Sequence, residues 1–451
     1  MNVVIFGAGR RGLRLARHLI EEKKSVTFLD ANQERCASAV SKLDCMAVCG
    51  SATDIDKLKE AGCENADAVI AVTESDEVNL VSCGIVESTF PMVSNTIAAI
   101  RGISYLGKNG YDNKILGISH IVNPEQEAAA RVSGIIESGL FTDIIYFSDA
   151  EFILFTVKVF EGDSFSGNSL IELKKNLPGQ YVVAGVRRKG KVFTPSGSTV
   201  LKNGDEIAIV CDDDETADIY KTFGGPVSSR LRRIIVVGAT RLARYLFSSL
   251  PKKIIKNVTL IEKDSELCKE FVEDFPQILV LNGSITDEAL WEEEKINKAD
   301  LLISTTENDE LNIITASYAK RLGTKHSIAL ISTNPNYIEF AKHMDIDAAI
   351  STTEASVDTI MKFLRGYGVR TLHSIFGGDL EVYEYVLSSS FKELGKQLKD
   401  VNFKGKCTIA GVKRANNENF IPGGLYTFTE GDTLLVAAAH EDYSFVQEFF
   451  S

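Results

Sequence analysis

The chain has 451 residues, 44% hydrophobic and 25% charged, with a formal net charge of −13 at pH 7. That length predicts several domains of ordinary globular composition, at roughly 100–200 residues each. The acidic balance excludes nucleic acid as the main partner, since phosphate binding needs clustered Lys and Arg, and no apolar run reaches the roughly 18–20 residues that span a bilayer.

In chain order, Val3 to Phe6 reads as a buried parallel strand, followed by the glycine-rich turn Gly7, Ala8, Gly9, Arg10, Arg11, Gly12 and an amphipathic helix. On that helix Leu13, Ala16, Leu19 and Ile20 share the apolar face, and Arg14, Arg17, His18 and Glu21 are expected to turn away from it. A second strand, Val26 to Leu29, ends at Asp30. Strand, GxGxxG, helix, strand and acid in this order predict a dinucleotide- or nucleotide-binding βαβ unit. The glycines allow close backbone approach, the helix N-terminus faces a pyrophosphate, and Asp30 can accept from ribose hydroxyls. Asp30 would repel a 2′-phosphate, which favours NAD(H) or an adenine nucleotide over NADP. A tight turn with no ligand remains the alternative.

Further strands are expected at Cys45 to Cys49, Ala68 to Val72 and Ile97 to Ile100, the last ending at Arg101. Gly50 to Asp54 (GSATD) and Thr73 to Glu77 form strand-to-helix turns on the side where open α/β sheets bind ligands. Thr53 and Asp76 are either ligand contacts or helix caps, Thr53 capping a helix that runs to Ala61. Asn123 and Pro124 open a helix as cap and first residue, with Ala128, Val132, Ile135 and Ile136 on its apolar face. It is a crossover or dimer element, or an ordinary core helix.

The pattern then repeats. GSATD at 50–54 returns as GSITD at 283–287, TESDEVNL at 73–80 as TENDELNI at 306–313, and AGVRR at 184–188 as AGVKR at 410–414. The first half carries an extra stretch around Ser104 to Asn113 with loop composition, and the halves join near Phe223 to Ser229. Each half passes from alternating strands and helices to closely spaced strands with turns such as KNGD. The expected fold class is therefore α/β: two Rossmann-like parallel-sheet lobes, each followed by a small α+β lobe. The boundaries are 1–140, 141–226, 230–366 and 367–451. In the second Rossmann-like lobe Thr240 and Ala243 stand at the second and third glycine positions, while Gly238 and Glu262 remain. One competent site per chain is expected, in the first half, with Gly238 and Glu262 marking a possible second.

Eight cysteines without a CxxC pair read as free thiols, and six scattered histidines lack metal-ligand spacing, so no metal is expected. No His or Tyr-Lys arrangement is placed against a nicotinamide, so an NAD-dependent oxidoreductase is the lesser alternative and a scaffold with vestigial lobes the third.

The Rossmann opening, GSATD with AGCENADAVIAVTESDEVNL, ILGISHIVNPEQEAAA and TPSGSTVLKNGDEIAIV together resemble the RCK (KTN) regulators of potassium transport. The doubled four-lobe order is similar to the peripheral subunits of Trk potassium uptake systems. The resemblance implies a non-enzymatic cytoplasmic regulator, peripheral on the inner face of the membrane. It would bind NAD(H) or ATP/ADP, assemble as a dimer or tetramer ring, and contact a membrane potassium channel subunit of Trk type. It places Gly7, Ala8, Gly9, Arg10, Arg11 and Gly12 around the phosphates and Asp30 at the ribose. Ala52 and Thr53 would lie near the adenine, Thr73, Glu74 and Arg101 along the rim, and Glu125 near the phosphate end or an associated cation. The family's GDATD is GSATD here, so a carboxylate is missing at Ser51, and Ala99 stands where an Arg is common.

Overall fold

The computed structural model describes residues 1–102, 115–139, 144–147, 152–224, 231–332, 334, 336–364, 369–416 and 418–450. The expected insertion at 104–113 and most of the junction at 223–229 lie outside these residues.

The first lobe is a six-stranded parallel sheet. Its strands are β1 (Asn2–Phe6), β2 (Ser25–Asp30), β3 (Met46–Cys49), β4 (Ala68–Ala71), β5 (Asn95–Ala99) and β6 (His120–Val122). Its helices are α1 (Arg10–Glu21), α2 (Gln33–Lys42), α3 (Ile55–Glu60), α4 (Asp76–Thr89) and α5 (Pro124–Ser138). The strand order β3-β2-β1-β4-β5-β6 is the doubly wound arrangement, and its crevice opens where the order reverses, between β1 and β4. A second six-stranded sheet with the same order is built from residues 234–351, and each is followed by a five-stranded sheet whose described pairings are antiparallel. The duplicated α/β architecture is as expected.

The repeated segments have structural causes. Asn79 and Asn312 are fully buried. Each accepts from the backbone and hydroxyl of a threonine at the preceding strand end, Thr73 and Thr306, and donates to a carbonyl of the next strand, Ala99 and Leu330. This bracket ties two strand ends to one helix start. In the small lobes the AGV segments each carry a bulge, and Gly185 and Gly411 bring the two sheets face to face. A Cβ on Gly185 would stand 2.5 Å from Leu380, and one on Gly411 2.8 Å from Phe152, so each glycine admits a large side chain from the other half.

Helix α5 acts as a crossover within the chain. Its Ala128, Val132, Ile135 and Ile136 join the core of the second Rossmann-like lobe with Leu242 and Leu246. Reciprocally, Val357, Ile360, Met361 and Leu364 of helix Thr352–Leu364 pack with Leu15, Ala16 and Leu19 of α1. Polar contacts fix the exchange: Arg14 pairs with Glu354 at 2.8 Å, Arg131 with Asp358 at 2.6 Å, and Asn123 Nδ2 donates to Tyr245 Oη at 2.7 Å.

Three local expectations change. Asp54, not Thr53, caps α3, its carboxylate accepting from Asp56 and Lys57 N–H. Ser75, not Asp76, caps α4, while Asp76 reaches across to accept from Arg101 and Gly102 N–H. His18 does not turn to solvent; it is 6% exposed, covered by the second small lobe. The cysteines are free thiols throughout.

Candidate functional site

The crevice at the switch point is a cavity of about 400 Å³. Its lining includes Gly7, Gly9, Arg10 and Arg11 of the first turn, Asp30 and Arg35, and Ser51, Ala52, Thr73, Glu74 and Arg101 from the later strand ends. Ser332 and Thr353 reach it from the second half.

Gly7 has φ +104, and a Cβ there would stand 3.1 Å from the Thr73 backbone. Gly12 meets the turn from the other side, where a Cβ would lie 2.0 Å from the Gly7 carbonyl oxygen. Those two glycines close the turn. Gly9 differs: a Cβ there meets only Arg35, at 4.0 Å, so its open side faces the cavity. Gly9 is also the N-cap of α1, and it offers no side chain to the first-turn N–H groups. The helix thus presents unpaired donors and the positive end of its dipole to the crevice.

Asp30 fixes the loop's position, its Oδ2 accepting from Ala8 N–H at 2.7 Å and its Oδ1 from Asn32 N–H at 2.8 Å. Arg35 and Glu74 bridge the mouth at 2.6 Å. At the inner end Arg11 donates from Nε to Ser356 Oγ at 3.0 Å, so the opposite half holds its guanidinium. Burial pushes the Arg11 pKa down to about 10 against the opposing field of Glu125. Burial likewise raises the Glu125 carboxyl, countered by Arg11, Arg101 and Arg241. Glu125 Oε2 is buried without a hydrogen-bond partner among the described residues.

Of the residues expected at the site, Ala8 and Gly12 build the turn from behind rather than line the cavity. Thr53 stands exposed, its hydroxyl 2.8 Å from Ser51 Oγ, and does not line it either. Arg35, Ser332 and Thr353 went unforeseen. Arg35 sits in the first turn of α2, just past Asp30, and could have been found from that spacing. The other two arrive from the far half, and no local motif points to them.

The second lobe repeats the scaffold with a different helix start. Gly238 has φ +101 against the Thr306 backbone, and Glu262 Oε2 accepts from Ala239 N–H at 2.7 Å, as Asp30 does from Ala8. Thr240, however, caps its helix, its Oγ1 accepting from Ala243 N–H at 3.3 Å and lying 3.4 Å from Thr305 Oγ1. The donors that α1 leaves open are here partly satisfied by the chain.

The TrkA-N domain family matches residues 3–124 and 234–352, and the TrkA-C domain family matches 154–224 and 382–451. The chain belongs to the TrkA family. Its relatives include the Trk system potassium uptake protein TrkA homolog of Archaeoglobus fulgidus, 30% identical over 450 residues and 100% of both chains. Another is the Trk system potassium uptake protein TrkA of Halomonas elongata, 29% identical over 92% of this chain and 91% of that one. Among solved structures, the GsuK channel bound to NAD shares the fold at TM-score 0.60 and 18% identity, over 100% of this TrkA-family chain and 78% of that one. GsuK bound to ADP covers 80% of this chain and 69% of that one, at TM-score 0.50 and 15% identity. No described helix is long and apolar enough to cross a membrane.

Proposed function

We propose that this chain is a nucleotide-sensing regulatory subunit of a potassium uptake system. It binds NAD(H) or ATP/ADP in the crevice of the first lobe and gates a membrane potassium channel subunit of Trk type from the cytoplasmic face. The observation that carries the binding step is the open start of α1: Gly9, its N-cap, has no side chain to accept from the first-turn N–H groups, so backbone donors and Arg10 and Arg11 face the cavity. The names of the curated relatives support the transport context, and the NAD- and ADP-bound states of GsuK support the ligand class. The phosphates would lie at Gly9, Arg10 and Arg11, the ribose at Asp30 and the base towards Ala52.

Gating requires the nucleotide to bind two conformations unequally. The contacts of Ser332, Thr353 and Ser356 with the first crevice give the second half a stake in its occupancy. Among the described residues lining the cavity, His, Tyr and Lys are absent, which favours a regulator over a dehydrogenase. Assembly as a homo-oligomeric ring is supported by Val81 on α4 and by Ile314 and Tyr318 on helix Asp309–Leu322, apolar side chains exposed on corresponding helices.

The test is titration of the purified chain with NADH, NAD, ATP and ADP. Saturation at one nucleotide per chain, lost in Gly9→Val, supports the assignment; unchanged binding in Gly9→Val overturns it. Reconstitution with the channel subunit then reads whether the bound nucleotide changes potassium flux.

A further inference from the structure

Helix α1 carries the phosphate-facing turn at its start and His18 near its end. The second small lobe covers that end with strand Leu380–Val386 and the single turn His440–Asp442. One ligand-capable atom each from His18, Glu381 and His440 lies within 4.8 Å of the others, the only such group of three found among the described residues. Glu381 is 1% exposed, and His440 is half-buried at the edge of the lobe.

We propose that His18, Glu381 and His440 form a binding site for a divalent transition-metal ion of the zinc type. Two imidazoles and one carboxylate are a donor set for such an ion, with a fourth position left for water. The surroundings of His440 carry the argument. Its Nε2 lies 3.1 Å from Glu21 Oε2, and its Nδ1 lies 3.2 Å from Glu381 Oε1. A neutral imidazole can donate only one N–H. If that proton goes to Glu21, the Nδ1 lone pair faces a carboxylate oxygen, and only a cation or a second proton between them makes the approach favourable. Ligand atoms about 2.0–2.2 Å from a tetrahedral ion stand roughly 3.3–3.6 Å apart, so the Nδ1–Oε1 pair, at 3.2 Å, needs to open only slightly to admit one.

The outer contacts have the form that metal sites use. Glu21 orients His440 through the nitrogen that would not bind the ion, and Tyr383 Oη donates to Glu381 Oε2, while Glu381 Oε1 lies beside the imidazole Nδ1. Gly378 makes room: at φ +100 it packs on His18, and a Cβ there would stand 3.0 Å from His18 Cε1. The Arg14 guanidinium also approaches Gly378, and it is paired with Glu354 at 2.8 Å. A bound ion would tie α1 of the first Rossmann-like lobe to the small lobe of the other half.

The experiment uses the full chain, stripped with a chelator and titrated with Zn²⁺ by calorimetry and with Co²⁺ by visible absorption. The expected result is one ion per chain, with the visible bands of four-coordinate Co²⁺ and no thiolate charge-transfer band. His18→Gln and His440→Gln should each weaken binding by about 100-fold and Glu21→Gln by about 10-fold. Zn²⁺ should raise the Tm of the parent chain and not that of His440→Gln. If His18→Gln does not fold, His440→Gln and Glu21→Gln carry the test, because both positions lie at the lobe edge. Absence of saturable binding overturns the proposal and leaves a proton as the occupant. A thiolate band, or binding unchanged in His440→Gln, overturns it by placing the metal elsewhere.

Discussion

The two Rossmann-like lobes share strand order, the Thr–Asn bracket and the carboxylate that holds the first turn, yet their first helices begin differently. At α1 the N-cap is a glycine open to the crevice; at helix Arg241–Ser249 it is Thr240, whose hydroxyl serves the helix itself. The glycine that both lobes keep, Gly7 or Gly238, is the one pressed against backbone at 3.1 Å with positive φ. Of the two glycines that the second lobe replaces, Gly12 closes its own turn and gives way to Ala243, whereas Gly9, which gives way to Thr240, faces open space. Within one motif, then, one glycine is required by the fold and another by the ligand, and the duplication separates the two requirements.

This contrast can be broken most severely at Gly9. Gly9→Val fills the open side of the turn, and nucleotide affinity should fall by about 1,000-fold, roughly 4 kcal/mol, with the Tm near that of the parent. A large drop in Tm together with the lost affinity would show that Gly9, like Gly7, serves the fold. Next in size is the reciprocal helix exchange. Met361→Ala, in the second half, should destabilise the chain by about 2–5 kcal/mol because its side chain is buried with Leu15 and Leu19 of the first. Denaturant unfolding with a probe in the first lobe measures this, and an unaffected first lobe would refute shared packing.

A pH series sharpens the comparison at Glu125, which has burial and three arginines around it. Because burial raises its folded pKa, the protonated form favours folding; that contribution is complete below the ordinary carboxylate pKa of about 4.3 and fades as pH rises through the folded value. The Tm of Glu125→Gln relative to the parent should therefore climb between pH 4 and pH 8, and a flat difference would contradict the buried placement. The smallest effect is expected at Thr240→Gly, which removes the side-chain cap and should cost only a few tenths of a kcal/mol. Stoichiometry should stay at one nucleotide per chain. A second equivalent of binding would mean that Thr240 alone closes the second crevice.

Much of the first crevice was legible in the sequence because its groups lie at chain-local spacings. Gly7, Gly9, Arg11, Asp30 and Ala52 belong to turns that follow successive strands of one parallel sheet, and that topology gathers their ends together. At Thr53 and Asp76, which the sequence leaves open between cap and ligand contact, the cap falls on the neighbouring Asp54 and Ser75, because adjacent Ser, Thr and Asp compete for the same N–H groups and backbone geometry decides among them. Helical periodicity turns His18 to solvent because it describes one helix against one sheet and cannot register a second lobe arriving on the opposite face.

The sequence by itself determined the duplication, the order of sheets and helices, and the difference between GAGRRG and GATRLA, since each is written in local pattern. Only the tertiary structure decided that α5 and helix Thr352–Leu364 change places between the halves, that Ser332 and Thr353 border the first crevice, and that His18 meets Glu381 and His440. Those contacts join residues more than a hundred positions apart, where chain connectivity imposes no spacing rule and apolar burial between the lobes sets the geometry.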